Sequence, residues 1–283
     1  MSFSGKLKRS SAGLAGLALS AYLFLLGSLY FNQSAYLFHP KKEWIETPEK
    51  IMVPYEDVMF RAADGVRLSG WYVPAPDARG TILFFHGNSR NISYELRAIG
   101  LFRRLRYNLF LFDYRGFGKS EGELSPEGIR RDAEAALAYL TEQKKVPMED
   151  IVIVGRSLGA GIAVPLAAAH TPRALLVDAS FASLSEMAQS RYPYVPIKLL
   201  LRYDFESEKT LPHVRCPVLV THSTDDQVIP YSHGLRLFEA AAGPKQFLRI
   251  TGSHDNRDDP ASQALYDKGV SDFFDWLDRR RQK

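Results

Sequence analysis

The run Ile151-Val152-Ile153-Val154-Gly155-Arg156-Ser157-Leu158-Gly159-Ala160-Gly161-Ile162-Ala163 changes character in its middle. Its first four residues are β-branched and apolar without alternation, the pattern of a strand buried on both faces. From Leu158 to Ala169 small and aliphatic residues take over and read as a helix. Between them lies Gly-x-Ser-x-Gly, centred on Ser157. The turn joining such a strand to such a helix is so tight that a Cβ at Gly155 or Gly159 would collide with its neighbours. Its strain lifts the Ser157 hydroxyl above the sheet, at a helix N-terminus that favours developing negative charge. Five residues alone carry little weight; the flanking strand and helix make Ser157 a candidate nucleophile.

Working outward, Thr81–Phe85 and Tyr107–Phe112 precede this unit, and Ala174–Val177, Pro217–Val220 and Gln246–Ile250 follow it, all short apolar runs. Asp57–Ala62 and Val66–Val73 flank Ala63-Asp64-Gly65 and read as two strands with an Asp-Gly turn. Helical patterns lie between, at Ile92–Leu105, Pro126–Leu140 with Ser125 as N-cap, His233–Ala241 and Ala261–Arg279. Strands alternating with helices predict an α/β fold, a mostly parallel sheet with helices on both faces. Such sheets carry their active groups on loops at the carboxyl ends of strands.

That rule selects partners for Ser157. A serine hydroxyl needs a base to take its proton. Of seven histidines, only His254 follows the final strand, in Thr251-Gly252-Ser253-His254-Asp255-Asn256, and leaves room for a strand-end acid before it. His86 and His222 follow earlier strands, and His86 reads as a brace for its loop. The acid that orients the imidazole belongs on the loop Thr221-His222-Ser223-Thr224-Asp225-Asp226-Gln227-Val228-Ile229-Pro230. Its spacing to Val228-Ile229-Pro230 favours Asp226 over Asp225, with Asp178 a weaker third choice. An oxyanion needs two backbone N–H donors. The expected pair is Leu158, next after the nucleophile, and Asn88 in His86-Gly87-Asn88-Ser89.

Composition bounds the remaining options. The chain has 283 residues, 46% of them hydrophobic, and its body suits one α/β domain. The net charge of +4 resides at the ends: Lys6, Lys8 and Arg9, then Arg279, Arg280, Arg281 and Lys283. Those seven taken from 36 basic residues leave 29 against 32 acidic ones, so no basic nucleic-acid face is expected. The single cysteine, Cys216, excludes an internal disulfide and a cysteine-rich metal site, and reads as a small buried residue.

Residues 12 to 31 contain no charge and are long enough to cross a bilayer as a helix. The basic residues before them favour a cytoplasmic N-terminus, despite Lys41 and Lys42 beyond the span. A cleaved signal is the rival reading, but its apolar core is shorter, about 7–15 residues. Either way the remainder leaves the cytoplasm. The expected organisation is a basic cytoplasmic tail at 1–11, a transmembrane anchor at 12–31, a tether at 32–54 and a catalytic domain at 55–283. The tether aromatics Tyr36, Phe38 and Trp44 suit either the membrane surface or the domain.

With Ser157, Asp226 and His254 in place, the chain resembles the α/β-hydrolase superfamily over about residues 55–280. Within it, His86-Gly87-Asn88, Asp113-Tyr114-Arg115-Gly116-Phe117-Gly118-Lys119-Ser120 and Gly155-Arg156-Ser157-Leu158-Gly159 are similar to small membrane-anchored abhydrolase-domain proteins, also filed as serine aminopeptidase-like. So are Tyr36-Leu37-Phe38-His39-Pro40 and Gly70-Trp71-Tyr72-Val73-Pro74. The resemblance implies ester, thioester or amide hydrolysis with no cofactor and no metal, and a structural role for Asp113 and Arg115. Phe181 to Val214 leaves room for a short flap instead of a large cap. In it Tyr192, Tyr194, Leu199, Leu200 and Leu201 either line an acyl pocket or pack the flap onto the sheet. The expected partners are a small-molecule or lipid-like acyl substrate and the membrane, and the chain is expected as a monomer. Two alternatives stay open: an aminopeptidase-like amide hydrolase, and a membrane-anchored binding protein without catalysis.

Overall fold

The computed structural model describes residues 3–254 and 259–281. Met1 and Ser2 of the tail, Asp255 and Asn256 beside His254, and Lys283 lie outside the described residues.

The described residues form ten strands: β1 (His39–Pro40), β2 (Glu56–Arg61), β3 (Arg67–Val73), β4 (Thr81–Phe85), β5 (Ser89–Arg90), β6 (Asn108–Asp113), β7 (Ile151–Arg156), β8 (Ala174–Asp178), β9 (Val218–Ser223) and β10 (Lys245–Ile250). Eight of them build one sheet in the order β10-β9-β8-β7-β4-β6-β3-β2. The hairpin β2–β3 is antiparallel, β3 runs antiparallel to β6, and every other pair is parallel. The predicted α/β sheet is therefore present. The order runs outward both ways from the centre, so the loops after β4 and β7 meet at a switch point where ligands collect.

Alternation along the central strands explains the two cores. Leu83, Phe85, Ile151, Ile153, Leu175 and Val177 face one side, under the helices α4 (Pro126–Ala138), α5 (Leu158–His170) and α9 (Tyr231–Ala240). Ile82, Phe84, Val152, Val154 and Leu176 face the other, under α3 (Leu96–Arg104) and α10 (Pro260–Arg281). Both sets are fully buried or nearly so. Truncating one such aliphatic side chain to alanine costs about 2–5 kcal/mol, so β7 is anchored on both faces before its turn begins.

Some boundaries differ from expectation. The Ile92–Leu105 pattern splits: Asn91 accepts from the Ser93 N–H and caps a 3-10 turn at Ile92–Tyr94, and only then does α3 begin. α9 starts two residues early, directly after Pro230. Segment 181–214 holds three short helices, α6 (Leu184–Arg191), α7 (Ile197–Leu200) and α8 (Ser207–Thr210), which fits a small flap.

The N-terminus forms one long helix, α1 (Phe3–Phe31), whose 19-residue stretch Gly13–Phe31 is long and apolar enough to cross a membrane and is unburied. A short α2 (Gln33–Leu37) follows. Beyond it the chain lies on the body. β1 pairs in parallel with β5, Trp44 Nε1 donates to Asp113 Oδ2 at 3.1 Å, and Phe38 is buried against Phe117 and Tyr203.

Candidate active site

β7 ends at Arg156 and α5 begins at Leu158, so Ser157 alone makes the turn. Its backbone sits at φ 52°, ψ −123°, a left-handed strain for a residue with a Cβ. The surroundings hold it there: Ser157 N donates to Asp178 O at 2.8 Å, and Ser180 Oγ donates to Ser157 O at 2.8 Å. A Cβ at Gly155 would stand 2.5 Å from Ala160 Cα, so α5 could not return across β7. A Cβ at Gly159 would overlap the carbonyl oxygens of Phe85 and His86. That second constraint acts between strands rather than within the turn, and it draws the post-β4 loop close to Ser157.

His254 lies just beyond β10 and faces two partners. Its Nε2 is 3.1 Å from Ser157 Oγ, and its Nδ1 is 2.6 Å from Asp226 Oδ2. The other oxygen of Asp226 accepts from Val228 N and Ile229 N, both at 2.8 Å. Burial opposes ionisation of this carboxyl, yet the bonds from His254 and those two N–H groups outweigh it and hold Asp226 below the ordinary carboxylate range. The structure thus brings Ser157, His254 and Asp226 into one line.

The other two aspartates point elsewhere. Asp225 Oδ2 accepts from Gly252 N at 3.1 Å, and Ser223 Oγ donates to Gly252 O at 2.5 Å. Together they pin the loop that carries His254. Asp178 accepts from Thr221 and sits 3.8 Å from Arg156 Nε.

Leu158 and Asn88 both line the cleft beside Ser157. Leu158 opens α5, where a first-turn N–H has no partner within its own helix. The Asn88 side chain is committed, its Nδ2 donating to Leu37 O at 3.0 Å, while its carbonyl accepts from His39 N at 2.8 Å. Its backbone N–H, rather than its amide group, is thus the candidate oxyanion donor. The sequence carried no sign of this tie to residues 37–39, because backbone carbonyls leave no signature in residue type.

The cleft encloses about 820 Å³. Its walls include Tyr36 and Leu37 from α2, Phe181, Met187 from α6, and Val228 and Ile229 after β9. Of the five flap residues named as acyl-pocket candidates, only Tyr192 reaches it. Tyr194 and Leu199 neither line the cleft nor pack on the sheet; they are 89% and 84% exposed.

The Asp113–Ser120 segment stands behind the site. Arg115 pairs with Asp132 and Asp64, and Asp113 accepts from Ile92 N at 2.9 Å and from Trp44. Gly118 has φ +45°, and a Cβ there would overlap the Asp113 carboxylate. His86 is fully buried, its ring tilted against that of Tyr114 with centroids 4.3 Å apart, and burial pushes its imidazole down to about 4. Cys216 is buried too, which pushes its thiol up to about 12.

Comparison with known proteins agrees with this architecture. Residues 80–196 match the family model for the alpha/beta hydrolase fold. The chain is 32% identical over 219 residues to the alpha/beta hydrolase domain-containing protein WAV2 of Arabidopsis thaliana, covering 71% of each chain. It is 30% identical over 250 residues to protein bem46 of Schizosaccharomyces pombe, covering 83% of each. Among solved structures, the esterase Pf2001 of Pyrococcus furiosus superposes with a TM-score of 0.69 at 19% identity, over 84% of this chain and 98% of that one. At that identity the last likeness speaks for the fold. The sheet order, the strained serine between strand and helix, and the relatives' shared length lead to one assignment: the chain belongs to the α/β-hydrolase family.

Proposed function

We propose that this chain is a membrane-anchored serine hydrolase that cleaves carboxyl ester or thioester bonds through an acyl-enzyme. The observation that carries the reading is the line Ser157 Oγ–His254 Nε2–Asp226, with its 3.1 and 2.6 Å separations. Ser157 Oγ attacks the acyl carbonyl carbon while His254 Nε2 takes its proton, and Asp226 stabilises the imidazolium. The carbonyl oxygen becomes an oxyanion held by the N–H groups of Leu158 and Asn88. Collapse breaks the bond to the alcohol or thiol, which takes the proton back from His254. Water, deprotonated by His254, then attacks the acyl-serine and releases the carboxylic acid.

The esterase structural neighbour supports this class of bond. An aminopeptidase would need a carboxylate to hold a free amine. Among the described residues lining the cleft, Glu95 is the one carboxylate, and Arg156 stands 3.9 Å from it. For the anchor, the support is Gly13–Phe31 with Lys6, Lys8 and Arg9 before it, which favours a catalytic domain on the extracytoplasmic side.

A fluorophosphonate probe tests the mechanism directly. Wild type is expected to label and Ser157→Ala to remain unlabelled, with turnover of a p-nitrophenyl ester falling about 10⁶-fold. Equal labelling of both proteins would remove the central claim.

A further inference from the structure

The flap 191–203 presents apolar side chains outward: Tyr192 is 57% exposed, Tyr194 89% and Leu199 84%. In water this is an unfavourable surface, and outside α7 its backbone is irregular as well. Yet several polar groups of that backbone are covered by side chains. Gln189 Nε2 lies within hydrogen-bond distance of the carbonyls of Tyr192, Pro193 and Val195, while its Oε1 accepts from Ile197 N. Gln33 Nε2 donates to Leu200 O at 2.6 Å, and Gln33 Oε1 accepts from Arg202 N at 2.8 Å. The Tyr22 hydroxyl donates to Tyr194 O at 2.6 Å. Pro193 and Pro196 have no N–H to satisfy. Satisfying these groups within the protein lowers the cost of setting an apolar loop against lipid, which offers a backbone polar group no partner.

The position of Tyr22 sets the depth. It lies nine residues before the end of α1 at Phe31, about 13 Å along a helix rising 1.5 Å per residue. If Phe31 marks the edge of a hydrocarbon core of about 30 Å, the residue bonded to Tyr22 lies well inside it. Exposed Arg191, Lys198 and Arg202 fringe the flap, and Arg202 lies over the Tyr30 ring at 5.6 Å, near the end of the span. Their long stems allow the charges to reach acidic headgroups. Tyr36 and Leu37, only five and six residues past Phe31, already wall the cleft, as do Met187 of α6 and Arg191 and Tyr192 of the flap.

We propose that the tip of the flap is embedded in the leaflet on the catalytic-domain side, beside α1, and that the cleft receives an acyl ester or thioester resident in that leaflet. This rests on the anchored-hydrolase reading above. The bilayer is the occupant of the apolar face, and the substrate's acyl chain moves from lipid into the cleft without crossing water.

The test uses the full-length chain with Cys216→Ser, in nanodiscs of phosphatidylcholine and phosphatidylglycerol. A nitrobenzoxadiazole label is placed at Leu199→Cys, at Phe24→Cys in α1, and at Met59→Cys on β2 as a solvent control. Brominated lipid is expected to quench the labels at 199 and 24, and aqueous iodide the label at 59. Quenching at 24 with iodide alone quenching at 199 would leave the anchor standing and overturn the flap proposal. Protection of 199 from both quenchers would overturn it too, pointing to a protein on that face. Absence of lipid quenching at 24 would remove the anchor, and the proposal with it.

The route for substrate has its own readout. Tyr194→Asp with Leu199→Glu is expected to lower turnover of a fluorogenic long-chain ester dissolved in the discs by about tenfold, given the cost of charge in lipid. Hydrolysis of water-soluble p-nitrophenyl acetate should be unchanged, since neither residue lines the cleft. Unchanged turnover of both esters would overturn the membrane route, while loss of probe labelling at Ser157 is the separate sign that the hydrolase reading has failed.

Discussion

His254 with Asp226 and His86 with Asp113 are both histidine–aspartate pairs at the carboxyl end of the sheet. The first is close, 2.6 Å, and leaves one imidazole nitrogen 3.1 Å from a hydroxyl at the cleft. The second is loose, 3.8 Å, and both side chains are shut away from solvent. Environment separates them further. Donors from His254, Val228 and Ile229 hold Asp226 below its ordinary range, whereas burial pushes Asp113 up to about 7 and His86 down to about 4. The first pair has the geometry that the proposed proton transfer needs; in the second, burial disfavours charge on both groups while they hold a loop. The same two residue types thus diverge through donors and burial alone.

Among changes to these two pairs, the largest expected effect comes from breaking the first. Asp226→Asn should lower kcat for ester hydrolysis about 10⁴-fold through loss of the imidazole tautomer and of charge stabilisation. Melting temperature should shift little, because the amide oxygen still accepts from Val228 N and Ile229 N. Asp225→Asn retains an acceptor for Gly252 and should stay within a few-fold of wild type. Steady-state kinetics on the two variants separate them, and a larger loss at Asp225 would reverse the assignment. Asp113→Asn should leave kcat far less affected than Asp226→Asn does.

How much of this was readable beforehand follows the range of each signal. The β7–Ser157–α5 unit was legible because strand, strained turn and helix are contiguous, and Gly155 and Gly159 mark the crowding. Asp226 stood out from Asp225 through its spacing to Val228-Ile229-Pro230, and its carboxylate does accept from Val228 N and Ile229 N. The partner of Trp44, the tie from Leu37 and His39 to Asn88, and the pinning of Gly252 by Asp225 were not legible. Each joins segments through backbone atoms or through pairs distant in the chain, and residue type records neither. The flap misled for a related reason: Tyr194 and Leu199 have the character of core residues, and only their position beside α1 gives them another use.

The second pair is sharpened by pH. Between about pH 4 and 7 the folded Asp113 keeps a proton that the unfolded chain releases, so its contribution to stability falls as pH rises. His86 works the other way. Its folded form lacks a proton that the unfolded chain binds below 6.5, so its contribution is lost as pH falls from 6.5 toward about 4. In wild type the two slopes oppose one another. Asp113→Asn should expose the histidine slope, with stability declining toward acid, and His86→Asn should expose the opposite slope, declining toward pH 7. At 1.36 kcal/mol per pKa unit each is on the order of 2–4 kcal/mol. Urea midpoints at a series of pH values measure it, and slopes unchanged in both variants would mean that neither group is perturbed.

The smallest effect comes from Trp44, where the two pairs touch the same loop. Asp113 accepts from Ile92 N and from Trp44, while Asn88, four residues before Ile92, lines the cleft together with Ser157. Trp44→Phe keeps a ring against Trp71 but removes one donor from Asp113. Losing that donor should cost about 1–2 kcal/mol and push the Asp113 carboxyl higher still, extending the falling stability slope above pH 7. Turnover should change by less than about twofold, because Leu37 and His39 still hold Asn88 through two backbone groups and backbone pairing of this kind does not depend on the indole. A fall in kcat with stability unchanged would show instead that Trp44 sets the position of the Asn88 N–H, and that the buried pair reaches the reacting oxygen through the loop it braces.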